Sequence, residues 1–106
     1  MSNSPDNWVI LKINSEVPFY KLLAGWSGGY TTGDSWRMNS GIVSVAEDEE
    51  YYYFKGNSGS SYACHKEANI VRMNIAGVLH QLKELYGKLV EVMPEGIDWI
   101  KEINND

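Results

Sequence analysis

The sequence predicts an α+β fold: an antiparallel β-meander of about five strands, followed by one long amphipathic helix packed on one face and a short C-terminal helix. Two observations lead to this prediction. Short stretches rich in β-branched and aromatic residues alternate with glycine, serine and acidic turns over the first two thirds of the chain. From Asn69 onward the apolar spacing changes from about two residues to about 3.6, which is the helical period.

The predicted strands cover 8–13, 19–26, 36–46, 51–55 and 60–66. The first is apolar on both alternating faces except at Lys12, which indicates a central strand covered on both sides. Gly41 lies inside the third strand. A single glycine in a strand often marks a bulge, so the first half of this strand is expected to bend away from the second.

A long helix is predicted over 69–86, with Asn69 as its N-cap and Gly87 as its C-terminal stop. Residues 90–93 form either a short strand or a loop, and Pro94 begins the last short helix. The apolar stripe of the long helix recurs at intervals of three and four residues and comprises Val71, Ile75, Val78, Leu82, Leu85 and Leu89.

The 106 residues suit one domain, and we predict it at 7–104. Residues 1–6 are expected to be a disordered leader, because Pro5 and its small polar neighbours have little to bury. No apolar run approaches the ~20 residues needed to cross a bilayer, and no basic signal segment precedes the domain. We therefore expect a cytoplasmic protein without membrane contact.

Charge and cysteine content exclude several kinds of site. A net charge of -5 with only nine Lys and Arg residues argues against a nucleic-acid partner, because that affinity comes from cations replacing counterions. Cys64 is the only cysteine, so neither an intrachain disulfide nor a cysteine-rich zinc site can form. The acidic run 47–50 is interpreted as a solvated turn. No metal or cofactor is predicted.

Catalysis is not predicted from any residue pair. Cys64 and His65 place a nucleophile beside a base, but neighbouring residues of a strand point to opposite faces. Cys64 is therefore expected to be a small buried apolar residue. His80 falls on the solvent side of the predicted helix. These patterns favour a protein that is not an enzyme.

The leading hypothesis is a small non-catalytic interaction or inhibitor module. One helix covers only one face of a sheet, whereas the strands carry more aromatic residues than an ordinary exposed face. We expect this aromatic face, or the Gly/Ser-rich loops, to bind a protein partner or a second copy in a homodimer. The aromatic residues of this prediction are Trp36, Tyr51, Tyr53 and Tyr62.

The alternative hypothesis is a domain that binds a small molecule or a saccharide. Its pocket would be lined by Trp26, Tyr30, Asp34 and Trp36, around a glycine-rich connection. Arg37 adds a positive charge beside Asp34 for recognition of a polar ligand. In the competing interpretation, Asp34 only accepts hydrogen bonds from the turn backbone.

Overall fold

The computed structural model describes residues 2–27 and 35–104 and confirms the α+β class. The strands form two four-stranded sheets instead of one meander. We call them the inner sheet, with strand order β4-β3-β2-β8, and the outer sheet, with order β1-β7-β6-β5. The strands are β1 (Ser2–Asn3), β2 (Asn7–Ile13), β3 (Phe19–Trp26), β4 (Ser35–Met38), β5 (Ile42–Glu47), β6 (Tyr51–Gly56), β7 (Ser61–His65) and β8 (Val90–Val92). The helices are α1 (Met73–Tyr86) and α2 (Trp99–Asn104), with short 3-10 turns at Lys66–Ala68 and Gly87–Leu89.

The inner sheet is buried on both faces, as the apolar sequence of β2 predicts. On one face, Val9 and Leu11 pack with Leu23 against α1. On the other face, Trp8 and Ile10 pack against the outer sheet. Full burial of an aliphatic side chain of this size stabilises a fold by about 1.5–3 kcal/mol, so these alternating residues hold the helix and both sheets together.

The predicted strand 36–46 is in fact two strands that belong to different sheets. Asn39 marks the crossing, because its side-chain oxygen accepts from the Leu22 backbone N–H at 2.8 Å and its own N–H donates to the Leu22 carbonyl at 3.0 Å. Gly41 follows with a φ of +153°, which a residue with a side chain rarely adopts. The bend expected at Gly41 is therefore a change of sheet.

Helix α1 begins at Met73, four residues later than predicted, and Arg72 precedes it without a side-chain cap. Asn69 is not the N-cap; it is buried and pairs with Trp8 of β2. The C-terminal stop is confirmed, since Gly87 has a φ of +53° and its N–H donates to the Lys83 carbonyl.

Ser2 and Asn3, within the predicted leader, pair with the outer sheet. β1 runs parallel to β7, with Ser2 opposite Ser61. Asp6 then ties the segment to β3: its N–H donates to the Gly25 carbonyl at 2.9 Å, and its carboxylate accepts from the Ser27 N–H at 2.7 Å. These two hydrogen bonds of Asp6 pair backbone groups of Gly25 and Ser27 that would otherwise lack a partner at the edge of the sheet.

The C-terminal helix covers the free edge of the outer sheet. It begins at Trp99, five residues after Pro94, and the side-chain amide of Asn104 donates to the carbonyl and accepts from the N–H of Val45. Tyr20 of β3 donates its hydroxyl to Glu102 at 2.8 Å, and burial together with this bond raises the pKa of Tyr20 to about 12. The helix thus joins the edge of one sheet to the neighbouring sheet.

A buried pair of side-chain amides positions α1 on the inner sheet. Asn7 donates to Asn74 at 3.0 Å and Asn74 donates back at 2.6 Å, while Asn7 also donates to the Ile70 carbonyl. Gly25 lies directly beneath, where an added Cβ would be 2.7–2.9 Å from the Asn74 amide. The absence of a side chain at Gly25 is therefore what lets the two amides meet.

We predict that Gly25→Ala lowers the free energy of unfolding by about 1–3 kcal/mol, because Asn74 must move and leave the buried Asn7 amide without its partner. Gly77→Ala is the matched control. A Cβ at Gly77 meets nothing within 4 Å, so alanine should stabilise the exposed helix by roughly 0.5–1 kcal/mol. Urea denaturation followed by tryptophan fluorescence measures both; equal effects of the two substitutions would contradict the role of the amide pair.

Candidate functional site

Most of the aromatic residues are enclosed between the two sheets. Phe54 lies 5.5 Å from Trp8 and 6.4 Å from Trp99, measured between ring centroids, and Tyr52 lies 6.2 Å from Trp8. Tyr62 is only 2% exposed and belongs to the same core. Tyr62 is therefore not part of a surface with Tyr51 and Tyr53, because alternation along β7 directs it inward beside Cys64.

The opposite side of the outer sheet carries the surface that we call the tyrosine face, comprising Ala46, Tyr51, Tyr53, Ala63 and His65. Tyr53 pairs with Ala46 on one neighbouring strand and with Ala63 on the other. The rings of Tyr51 and Tyr53 are stacked, with centroids 6.1 Å apart, and His65 meets Tyr51 edge-on at 5.1 Å. Tyr53 is 38% exposed, so its ring stands above the small alanines beside it.

Asp48 holds Tyr53 in position from the adjoining turn. The Tyr53 hydroxyl donates to one carboxylate oxygen at 2.5 Å, and the other oxygen accepts from the N–H groups of Glu50 and Tyr51 at 2.9 and 2.7 Å. The bond from Tyr53, followed by those from the backbone, lowers the pKa of Asp48. The same carboxylate raises the pKa of the Tyr53 hydroxyl. The bond favours one orientation of the Tyr53 ring in the free protein.

The turn beside the tyrosine face is acidic. Glu47 pairs with Lys66 at 2.8 Å, and the Lys66 ammonium also lies 4.9 Å from the centroid of the Tyr52 ring. Among residues 2–27 and 35–104, Asp48, Glu49 and Glu50 form no ion pair within 4 Å, and Glu49 and Glu50 are exposed. The predicted solvated acidic turn therefore supplies negative charge at one border of this surface.

Trp26 and Trp36 lie together at a second, smaller site. Trp26 is half-buried and donates its indole N–H to the Ser4 carbonyl at 3.0 Å, whereas Trp36 is 49% exposed. With Asn3, Ser35 and Arg37 they line a cavity of about 280 Å³, which we call the tryptophan pocket. The predicted pocket residues Tyr30 and Asp34 fall outside the residues that the structure describes.

A third concave surface lies between the C-terminal part of α1 and the inner sheet, and sequence reasoning missed it. This helix-end groove has a volume of about 360 Å³ and is lined by Leu11, Ile13, Ser15, Lys21, Met38, Leu82, Tyr86, Leu89 and Val90. Leu85, one turn from Leu82, is 74% exposed, and Leu89 is 51% exposed. Both leucines belong to the predicted stripe; the signal that could have located the groove is the continuation of that stripe past the helix stop at Gly87.

The adjacent cysteine and histidine do not form a catalytic pair. Cys64 is fully buried, and burial raises the pKa of its thiol. His65 lies on the other face, where its Nδ1 accepts from the Glu67 N–H at 3.1 Å. His80 is exposed, as expected for a histidine on the solvent side of the helix, and its Nε2 lies 3.1 Å from Oε1 of Glu84. The alternation of side chains along a strand therefore predicted correctly that Cys64 and His65 lie on opposite faces of β7.

Within residues 2–27 and 35–104, no three side chains of the metal-binding types come together. None of the helices in the same ranges has the length and apolar character required to span a bilayer.

Comparison with known proteins finds no matching family model, and neither a curated protein nor a solved structure is significantly similar.

We predict that Asp48→Asn lowers the pKa of Tyr53 toward the ordinary value near 10, because the neutral amide no longer opposes ionisation of the hydroxyl. The Tyr53–Asp48 bond should stabilise the turn between the lowered pKa of Asp48 and the raised pKa of Tyr53, and disappear on either side of that interval.

The measurement is a titration of the Tyr53 ring carbon beside the hydroxyl by NMR. Glu49→Gln is the matched control, since it removes a neighbouring charge that makes no hydrogen bond to Tyr53 among the described residues. An unchanged Tyr53 titration in Asp48→Asn would show that the bond does not persist in solution.

Proposed function

We propose that this protein is a non-catalytic interaction module that holds a protein partner on the tyrosine face. One observation carries the proposal: Tyr51 and Tyr53 are stacked, and Tyr53 is hydrogen-bonded to Asp48, on a sheet face that no other described element covers. Tyrosine is enriched in protein interfaces because it combines apolar area with a polar tip. The cytoplasm is the proposed location of this activity.

The fixed geometry of Tyr53 supports a role as an anchor for binding. Ordering a flexible side chain at an interface costs about 0.5–1.5 kcal/mol, and this cost is already met when the side chain is held beforehand. Asp48 holds the hydroxyl of Tyr53, while Tyr51 restricts its ring from one side. Ala46 and Ala63 leave both flanks of the ring open to a partner's side chains.

The border of the tyrosine face indicates the charge of the partner. Asp48, Glu49 and Glu50 surround one end of the face with negative charge, and the whole chain carries a net charge of -5. A second copy would bring the same acidic border, whereas a basic protein surface would be attracted to it. Arginine in particular can stack on a tyrosine ring while it pairs with a carboxylate. We therefore favour a basic partner over a homodimer.

We predict that a Tyr51→Ser/Tyr53→Ser variant loses the partner, with affinity reduced at least about thirtyfold if each ring contributes as an interface anchor. Tyr86→Ser is the matched control, because Tyr86 is also half-exposed but lies at the helix-end groove. The measurement is capture of partners from a cell extract by each variant at low and high salt, with the captured protein then purified and titrated by calorimetry.

The proposal requires one purified protein to bind the wild type and Tyr86→Ser alike, to lose affinity for the double variant, and to bind more weakly at high salt. Equal binding by the double variant, or capture of no protein, would contradict it. Sedimentation velocity of the isolated chain tests the homodimer, and a dimer abolished by the double variant would replace the basic partner by a second copy.

A second candidate function is supported by the tryptophan pocket. Trp26 shares one face of the inner sheet with Ser35 and Arg37, and Asn3 completes the lining on that side, whereas Trp36 leaves β4 on the opposite face. An apolar ring next to a few polar groups is a common arrangement for recognising a small polar ligand. The volume of about 280 Å³ suits one saccharide ring or a molecule of similar size.

We predict for this candidate that Trp26→Ala abolishes binding of any saccharide that the wild type binds, because the pocket loses the aromatic ring on the face that carries Ser35 and Arg37. Saturation-transfer NMR against a panel of monosaccharides and disaccharides measures this. Trp99→Phe, in the core, serves as the control for general effects of losing an indole. A panel in which nothing binds the wild type would eliminate the saccharide function.

A further inference from the structure

We propose that the helix-end groove is a separate site for an amphiphilic carboxylate, a small molecule with an apolar tail and one anionic head such as a medium-chain fatty acid. The site does not depend on the tyrosine face. It follows from three features of the groove: its volume, its apolar lining and the one ammonium group on its wall.

The groove has the size and composition of a ligand pocket. Its volume of about 360 Å³ falls at the lower end of the roughly 300–1,000 Å³ range of small-molecule sites. Leu11, Ile13 and Met38 form the inner-sheet side of the groove, and Leu82, Tyr86 and Leu89 form the side of α1 and the turn after it. An unbranched apolar chain fits such a surface, because the transfer of each CH₂ group from water to an apolar surface is favourable.

Exposed side chains of the lining show that the apolar surface of the groove is incompletely covered. Leu82 is partly buried against the helix-side core, whereas Tyr86 and Leu89 are each 51% exposed. Large side chains of this kind are normally withdrawn from water, and a cluster beside a cavity marks a binding site more often than a single exposed leucine does. A bound tail would cover the part of Leu89 that faces the groove.

Lys21 determines the chemistry of the head group. It lies opposite Leu11 on the face of β3 that carries Leu23, and it is the one charged residue among those lining the groove. Across residues 2–27 and 35–104, no carboxylate lies within 4 Å of its ammonium. Lys21 is half-buried as a residue, and an ammonium beside apolar walls attracts a carboxylate that accepts its hydrogen bonds. Ser15, the other polar lining residue, uses its hydroxyl as a donor to the Val17 carbonyl at 2.8 Å.

The same features disfavour an extended macromolecular ligand. The groove offers one cation and one small concavity, whereas a polymeric anion needs several cations in a row. A ligand with one anionic head group and one apolar tail would pair with the Lys21 ammonium and cover the apolar lining. The inference is therefore a monovalent amphiphile rather than a nucleic acid or a polyanionic surface.

The test uses decanoate and its neutral counterpart decanol, both below their aggregation limits, titrated into the full chain and followed by amide NMR. Decanoate should shift the signals of Leu82, Tyr86 and Val90 saturably and bind more tightly than decanol. Lys21→Met should weaken decanoate about tenfold or more, the loss of one charge-assisted hydrogen bond, and leave decanol unchanged. Lys83→Met is the matched control, because Lys83 is exposed on α1 and does not line the groove.

Leu82→Trp provides a second variant, in which the larger ring fills the groove and should abolish binding of both compounds. If Lys21→Met does not fold, the ratio of decanoate to decanol affinity in the wild type decides the role of the ammonium. Absence of saturable binding, shifts that map elsewhere, or equal affinity for the charged and neutral compounds would overturn the proposal. Each result is independent of partner binding at the tyrosine face.

Discussion

The two-sided burial of β2 and β3 is the constraint from which the rest of the structure follows. Trp8 and Ile10 require an apolar layer on one side, and Val9 and Leu11 require another on the opposite side. A single sheet with one helix can supply only one of these layers. The chain therefore makes a second sheet from β5, β6 and β7, and α1 closes the remaining face.

Local patterns predicted the elements well because they depend on neighbouring residues. Alternation in β7 placed Cys64 inside and His65 outside, and the helical spacing found α1 and its stop at Gly87. The structure differs from the prediction where residues far apart in sequence are in contact. Asn39 ends β4 by bonding to Leu22, 17 positions earlier, and Asn74 is paired with Asn7, 67 positions earlier. Periodicity carries no information about such pairs.

In the candidate surfaces, too, features set by neighbouring residues were predictable and features set by distant contacts were not. Tyr51 and Tyr53 could be assigned to one face because strand alternation is local, and Asp48 lies only five residues from Tyr53. Tyr62 could not be assigned correctly from composition, since its burial depends on Trp8 and the inner sheet. The exposure of Leu85 was equally hidden, because the apolar stripe does not say which of its members the inner sheet covers.

The order of layers separates the two proposed sites. The tyrosine face lies on the outer side of the outer sheet, while Lys21 and Leu82 lie on the helix side of the inner sheet. Between them lies the core that contains Trp8 and Phe54. A ligand in the groove would stabilise the contact of α1 with the inner sheet by mass action. It has no direct contact through which to alter Tyr53, so the two surfaces are expected to bind independently.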